Sequence, residues 1–238
     1  ELYYSCSGRC CFNEDWRIDD EHLQCRYKKR LKLKIESLNR VELPVMEDFY
    51  TLQGEGYHQG KAAYFIRLGG CDVGCVWCDV KDSWDADKHP KFKVESLKLK
   101  VLETPARLVV ITGGEPLMHN LDELTNSLKA AGLQTNIETS GAHPLSGTWD
   151  WICLSPKKFK APLAGILPLA NELKVVIFNK SDFEWAETYA SQMNPQCKLY
   201  LQPEWDKAAI VTPLIIDYIK ANPKWELSLQ LHKYINVP

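Results

Sequence analysis

The chain has 238 residues, 45% of them hydrophobic, and its 29 Lys and Arg against 31 Asp and Glu leave a formal charge of -2. That length supplies one sizeable core and suits a single α/β domain, while the charge excludes the global positive field that recruits nucleic acid. No run of about 18 apolar residues occurs; the best stretch, "AAIVTPLIIDYI", is short and interrupted by Pro213 and Asp217, so no membrane partner is expected.

The opening "ELYYSCSGRCCFNED" lacks a basic segment followed by an apolar core and does not read as a signal peptide. A cytoplasmic, reducing location is therefore expected, where clustered cysteines point to metal or redox chemistry before disulfides. Residues 1–40 hold Cys6, Cys10, Cys11 and Cys25 and the basic run "RYKKRLKLK", with no hydrophobic period longer than a turn. The spacing matches no common zinc finger, so this segment reads as a disordered or artefactual extension, and 41–238 as the domain proper.

From Val41 onward, β-branched apolar runs predict strands at 63–68, 107–112, 133–139, 149–155, 172–178, 198–202 and 225–231. Helices are predicted over 94–103, 182–192 and 207–221. The clearest is "NLDELTNSLKAAG" at 120–132, where Leu121, Leu124, Leu128 and Ala131 share a face. Asn120 with Glu123 reads there as a capping box and Gly132 as the stop. Strands alternating with helices imply a mostly parallel sheet. The unusual segments then all follow strands: "GGCDVGCVWCD" the first, "GGEP" the second, "SGAHP" the third, "PKKF" the fourth, "PEW" the sixth and "HKYINVP" the last. In such sheets the loops at the C-terminal strand ends build the active site.

Cys71, Cys75 and Cys78 are spaced Cys-x3-Cys-x2-Cys, with no fourth cysteine near. A structural zinc closes with four protein ligands, whereas a 4Fe-4S cluster on three thiolates leaves one iron open. Zinc, with His89 or Cys153 as fourth ligand, is the competing reading, and neither residue stands at usual ligand spacing.

With the aromatic Trp77 before the last cysteine and "TGGEP" one strand later, this loop resembles the signature of the radical S-adenosylmethionine superfamily. A finer resemblance runs from Pro44 to Pro238. "TLQGEG", "FIRLGGC", "ETSG", "SPK", "LKVVIFN", "LQPEW" and "QLHKY" are similar to the 7-carboxy-7-deazaguanine synthase family. The resemblance implies an α/β fold, an incomplete TIM-type barrel, usually homodimeric. It also implies a lyase that contracts 6-carboxy-5,6,7,8-tetrahydropterin to 7-carboxy-7-deazaguanine with loss of ammonia, in queuosine and deazapurine biosynthesis. The implied cofactors are a [4Fe-4S] cluster, S-adenosyl-L-methionine and Mg2+, with a flavodoxin- or ferredoxin-type reductant as partner.

Carried over by motif, Leu52, Gln53, Gly54, Glu55, Arg67, Thr112 and Pro238 are expected at the substrate. Glu55 suits the donor edge of a pterin, and the Arg67 fork suits its carboxylate. Trp77, Cys78, Asp79, Gly113, Gly114, Glu115, Glu138, Ser155, Pro156, Lys157 and Gln202, with the stretch to Trp205, are expected at the cofactor. One position departs from the family: Val80 stands where a threonine or serine usually gives a hydroxyl to magnesium, and valine cannot ligate a hard cation. Either substrate, water and other oxygens hold the ion alone, or the Lys81 ammonium supplies the charge as a catalytic group beside Glu55 and Arg67. A glycyl-radical activating enzyme is the alternative within this chemistry, and a zinc-binding interaction module the alternative outside it.

Overall fold

The computed structural model describes residues 41–238, and the expectations for residues 1–40 and their four cysteines lie outside the described residues. Nine strands form one sheet: β1 (Glu42–Leu52), β2 (Ala62–Leu68), β3 (Lys91–Lys93), β4 (Leu108–Gly113), β5 (Gln134–Thr139), β6 (Trp151–Leu154), β7 (Glu172–Ile177), β8 (Lys198–Pro203) and β9 (Trp225–Leu227). Their order is β3-β1-β2-β4-β5-β6-β7-β8-β9, so the sheet runs from edge to edge without closing. Every neighbouring pair from β2 to β9 is parallel, and the two additions at the β2 side, β1 and β3, are antiparallel.

The seven expected strands are all present, the last ending at Leu227 instead of 231. β1 was not expected, because the alternation of "ELPVMEDFYTL" breaks at a register shift between Val45 and Glu47. Helices α1 (Val94–Leu102), α2 (Asp122–Ala130), α3 (Ser181–Ala190), α4 (Ala208–Ala221) and α5 (Leu231–Ile235) complete the chain. No described helix is long and apolar enough to cross a membrane.

The capping box expected at Asn120 and Glu123 does not form. Asn120 accepts from Asp122 N at 2.9 Å, Leu121 takes the N-cap place, and Glu123 Oε1 has no partner among the described residues. The stop at Gly132 does form, with φ of +76°, a left-handed turn that suits glycine.

The two faces of the sheet differ in chemistry. Its outer face, with Ile66, Ile111, Ile137, Leu154, Leu173 and Leu201, packs against Leu97, Leu124, Leu128, Phe183, Val211 and Ile215 of α1 to α4. Each fully buried leucine there contributes about 1.5–3 kcal/mol. On the inner face β2 and β4 carry a small apolar cluster of Ala63, Phe65, Leu108 and Val110 with Phe49 from β1. β5 to β8 instead bury Asn136, Glu172, Lys174 and Gln202. The register aligns these inward residues in rungs, with Arg67 beside Thr112, Glu138 beside Cys153, and Lys174 beside Tyr200.

Candidate active site

At the C-terminal ends of the parallel strands lies a cavity of about 520 Å3, within the range of small-molecule sites. Cys71, Cys75 and Cys78 line one wall. None is in a disulfide among the described residues. Backbone N–H groups of Val73 and Gly74 donate to the Cys71 sulfur, and Val80 N donates to Cys78 Sγ at 3.4 Å, which is how a loop receives anionic sulfur. Burial pushes the Cys75 thiol up to about 11, so the deprotonated form depends on the charge of a bound metal. Among the described residues, no three His, Cys, Asp or Glu side chains converge on a point one ion could fill. His89 Nε2 instead meets Asp82 O at 2.8 Å, and Cys153 is buried within β6. Three thiols on one wall, each separately placed, suit a cluster that presents a different iron to each.

The paired glycines after β4 shape this loop. A Cβ at Gly114 would stand 2.2 Å from Gly70 O, and one at Gly113, where φ is +129°, 2.2 Å from Leu68 O. Both contacts are backbone, so only glycine allows Gly114 N to bond Leu68 O at 2.9 Å and Glu115 N to bond Gly70 O at 2.8 Å. Gly113 and Gly114, expected at the cofactor, thus also hold the cysteine loop in place. Glu115 is likewise a bracket between loops. One carboxylate oxygen accepts from Leu117 N at 3.0 Å and Thr139 Oγ1 at 2.5 Å, the other from Ser140 N at 2.8 Å and the Ser140 hydroxyl. A carboxylate has about four acceptor positions, so these donors occupy most of the Glu115 side chain, which also lines the cavity.

A charged group, of which Lys174 and Gln230 were not expected, lines the same cavity as the cysteines. Lys174, in the middle of β7, is 4% exposed and donates to Glu55 Oε2 and, at 3.1 Å, to Glu138 Oε2. Gln53 Nε2 donates to Glu138 Oε1 at 2.9 Å, and Gln230 Nε2 to Glu55 Oε1 at 3.0 Å. Burial alone would raise the Glu55 carboxyl, but the Lys174 ammonium and Gln230 outweigh it and hold it down at about 2. For Lys174, burial opposes the charge while Glu138 and Glu55 restore it, keeping the ammonium well above its ordinary range. Glu138, expected at the cofactor, thus belongs with Gln53 and Glu55. A charged residue inside the apolar strand run "ELKVVIF" was the signal for Lys174.

Arg67 Nε lies 2.7 Å from Glu47 Oε1 without an aligned hydrogen bond, and its guanidinium lies over Phe49. Its terminal nitrogens make no hydrogen bond among the described residues, and Arg67 lines the cavity. Leu52, Gln53, Gly54, Thr112, Trp77, Asp79, Gly113, Gly114, Ser155, Lys157, Gln202 and Pro238 line the cavity. Pro156, between Ser155 and Lys157, is buried outside it. Lys81 is not brought in. Ser83 N and Oγ both donate to Val80 O, closing a 3-10 turn that leaves Lys81 exposed, while Val80 lines the wall. Lys157 donates to Ser155 O at 2.6 Å and Oγ at 2.7 Å, and burial lowers its ammonium below the ordinary range.

The tail closes over this arrangement. Leu231 N bonds Gly54 O at 2.9 Å, Lys233 pairs with Asp79 at 2.7 Å, and Tyr234 meets the Trp205 ring edge-on at 5.4 Å. His232, also lining the cavity, packs so closely on Gly54 that a Cβ there would lie 2.3 Å from its Nδ1.

The Radical SAM superfamily model matches residues 65–154, from β2 through β6. A 7-carboxy-7-deazaguanine synthase from Flavobacterium psychrophilum is 56% identical over 196 residues, covering 82% of this chain and 93% of the relative. The chain belongs to the 7-carboxy-7-deazaguanine synthase family. The Synechocystis member is 51% identical over 85% of this chain and 97% of its own. The crystal structure of QueE from Escherichia coli superposes with a TM-score of 0.75 at 34% identity, over 83% of this chain and 98% of that one. The family places the open nine-strand sheet as an incomplete, modified TIM-type barrel, and its superfamily implies a [4Fe-4S] cluster with S-adenosylmethionine, which the cysteine wall fits.

Proposed function

We propose that this chain is a lyase converting 6-carboxy-5,6,7,8-tetrahydropterin to 7-carboxy-7-deazaguanine and ammonia. What carries this reading is that the cysteine wall and the pair of Glu55 and Arg67 face one cavity of about 520 Å3. Cys71, Cys75 and Cys78 would hold the cluster, which with S-adenosylmethionine would supply the radical chemistry for hydrogen-atom abstraction. The protein's own part is recognition and orientation. Arg67 offers its free guanidinium nitrogens to the substrate carboxylate. Glu55, fixed as a carboxylate by Lys174, accepts from the amino and ring N–H donors at the other end. The two anchors hold the ring between them, and the tail from Gln230 to Pro238 excludes water.

Backbone groups at Gly113 and Gly114, with Trp77, Asp79, Ser155, Lys157 and Gln202, hold the cofactor. Val80 gives no hydroxyl and Lys81 stands outside, so a magnesium ion here is held by substrate, water and other protein oxygens. A flavodoxin- or ferredoxin-type protein reduces the cluster, the active form is a homodimer, and residues 1–40 are an extension dispensable to the domain.

Anaerobic turnover of the pterin, followed by mass spectrometry and an ammonia assay, tests the reading. Equimolar deazaguanine and ammonia are expected, with product and iron both lost in Cys71→Ala, Cys75→Ala and Cys78→Ala but kept in Cys153→Ala and Cys197→Ala. Retained iron and turnover in Cys75→Ala would overturn it.

A further inference from the structure

Below the substrate cavity, on the inner face of the sheet, is a second chamber of about 10 Å3, the room one water takes. Glu55 and Glu138 line both spaces. The chamber's other polar walls include His58, from the 3-10 turn Gly56–His58, and Glu172 at the start of β7.

His58 is 5% exposed, and its Nδ1 lies 3.0 Å from Lys61 Nζ. An ammonium has only donors, so Nδ1 accepts and the neutral ring carries its hydrogen on Nε2. Burial and the neighbouring Lys61 both lower the imidazole, keeping it neutral. Nε2 is buried without a partner among the described residues, a donor left open on a chamber that also holds an acceptor. That acceptor is Glu172, 3% exposed. Its Oε2 takes Trp151 Nε1 at 2.9 Å and Tyr57 N at 3.3 Å, and its Oε1 takes no donor from the described residues. An orphan buried donor beside an unused acceptor, in a space of this size, is where buried water is found.

We propose that the chamber holds one water between His58 Nε2 and Glu172, and that Glu172, this water and His58 relay protons between solvent at Lys61 and the substrate-facing carboxylate Glu138. The relay rests on the lyase reading above. Eliminating ammonia breaks a ring C–H bond, whose electron pair becomes the new double bond, and a C–N bond, whose pair stays on nitrogen. Glu138 takes the proton from carbon and returns it to the departing nitrogen, which leaves as ammonia, and one further proton drawn from solvent through the chamber converts that ammonia to the ammonium released at neutral pH.

Groups facing Glu172 come from every neighbouring element: Lys174 on its own strand, Trp151 and Cys153 from β6, Glu138 from β5, Tyr57 from the 3-10 turn, and Tyr200 and Cys197 from the β8 side. Burial raises the Glu172 carboxyl more than Lys174 lowers it, so it keeps its proton to higher pH than an ordinary glutamate.

Glu172→Gln keeps an oxygen for Trp151 and Tyr57 but cannot titrate. Its kcat should fall about tenfold or more with KM for the pterin unchanged. The proton inventory in mixed H2O and D2O should be bowed in the wild type and straight in the variant. Equal kcat and equal inventories would overturn the relay. Two measurements on the wild-type holoprotein decide it even where the variant folds poorly. A high-resolution structure should show one water bonded to His58 Nε2, and the infrared spectrum a protonated-carboxyl band that alkali removes. A dry chamber or a missing band overturns the proposal. A wild-type protein that makes no deazaguanine would overturn the reaction assignment and the relay's purpose with it, while the water and the band would still report the chamber.

Discussion

Replacing Lys174 by methionine removes the cation shared by Glu55 and Glu138 and keeps most of the side-chain volume. At 3.1 Å and an effective dielectric constant of about 20, the attraction to Glu138 alone is about 5 kcal/mol. The ammonium's desolvation offsets part of this. Removing one partner of a buried pair leaves a net loss of about 3–5 kcal/mol.

The pH dependence separates this cause from a packing defect. The folded Glu55 carboxyl titrates at about 2 instead of the ordinary 4.5, so its contribution to stability is complete above 4.5 and is lost as pH falls toward 2. The deficit of Lys174→Met should therefore be largest above pH 4.5 and shrink below it, as Glu55 takes up its proton. Urea denaturation of the anaerobic protein at a series of pH values, followed by tryptophan fluorescence, measures it. A loss below about 1 kcal/mol, or one that does not vary with pH, would refute the assignment of Lys174 as the group's cation.

Gly114→Ala should push the cysteine loop away from Gly70 O, costing about 1–3 kcal/mol, and purify with substantially less iron; full iron content would show that the loop yields freely. Val80→Thr places a hydroxyl on the cavity wall and should make turnover more dependent on added magnesium, read as the ratio of rates with and without chelator. A chain beginning at Val41 should fold, bind iron and turn over like the full chain; lost iron stoichiometry would place a metal at Cys6, Cys10, Cys11 or Cys25.

The parallel strands were legible because buried strands read as continuous apolar runs, and the cysteine loop because its spacing is local. β1 was hidden by its bulge, and the capping box is replaced by a tighter turn in which Asn120 accepts from Asp122 N and Leu121 takes the N-cap place. The charged group around Lys174 is a different matter. Its members, Gln53, Glu55, Glu138, Lys174 and Gln230, are far apart in the chain and meet only through sheet register and the folded tail. The bracketing contacts of Glu115 were hidden for a similar reason: its motif is local, while its donors Thr139 and Ser140 lie at the end of the next strand.

The unequal halves of the inner face set how this chain can vary. Around Phe49, Phe65 and Val110, one apolar side chain of similar volume can replace another with little loss, since dispersion contacts have no fixed partner. Around Lys174 each hydrogen bond is spoken for at both ends, and a single exchange strands a charge in the interior. Changes at Gln53, Glu55, Glu138 and Lys174 are therefore tolerated only in concert, and a new ring system is more readily admitted by remodelling the aromatic wall than by altering one member of the ionic floor.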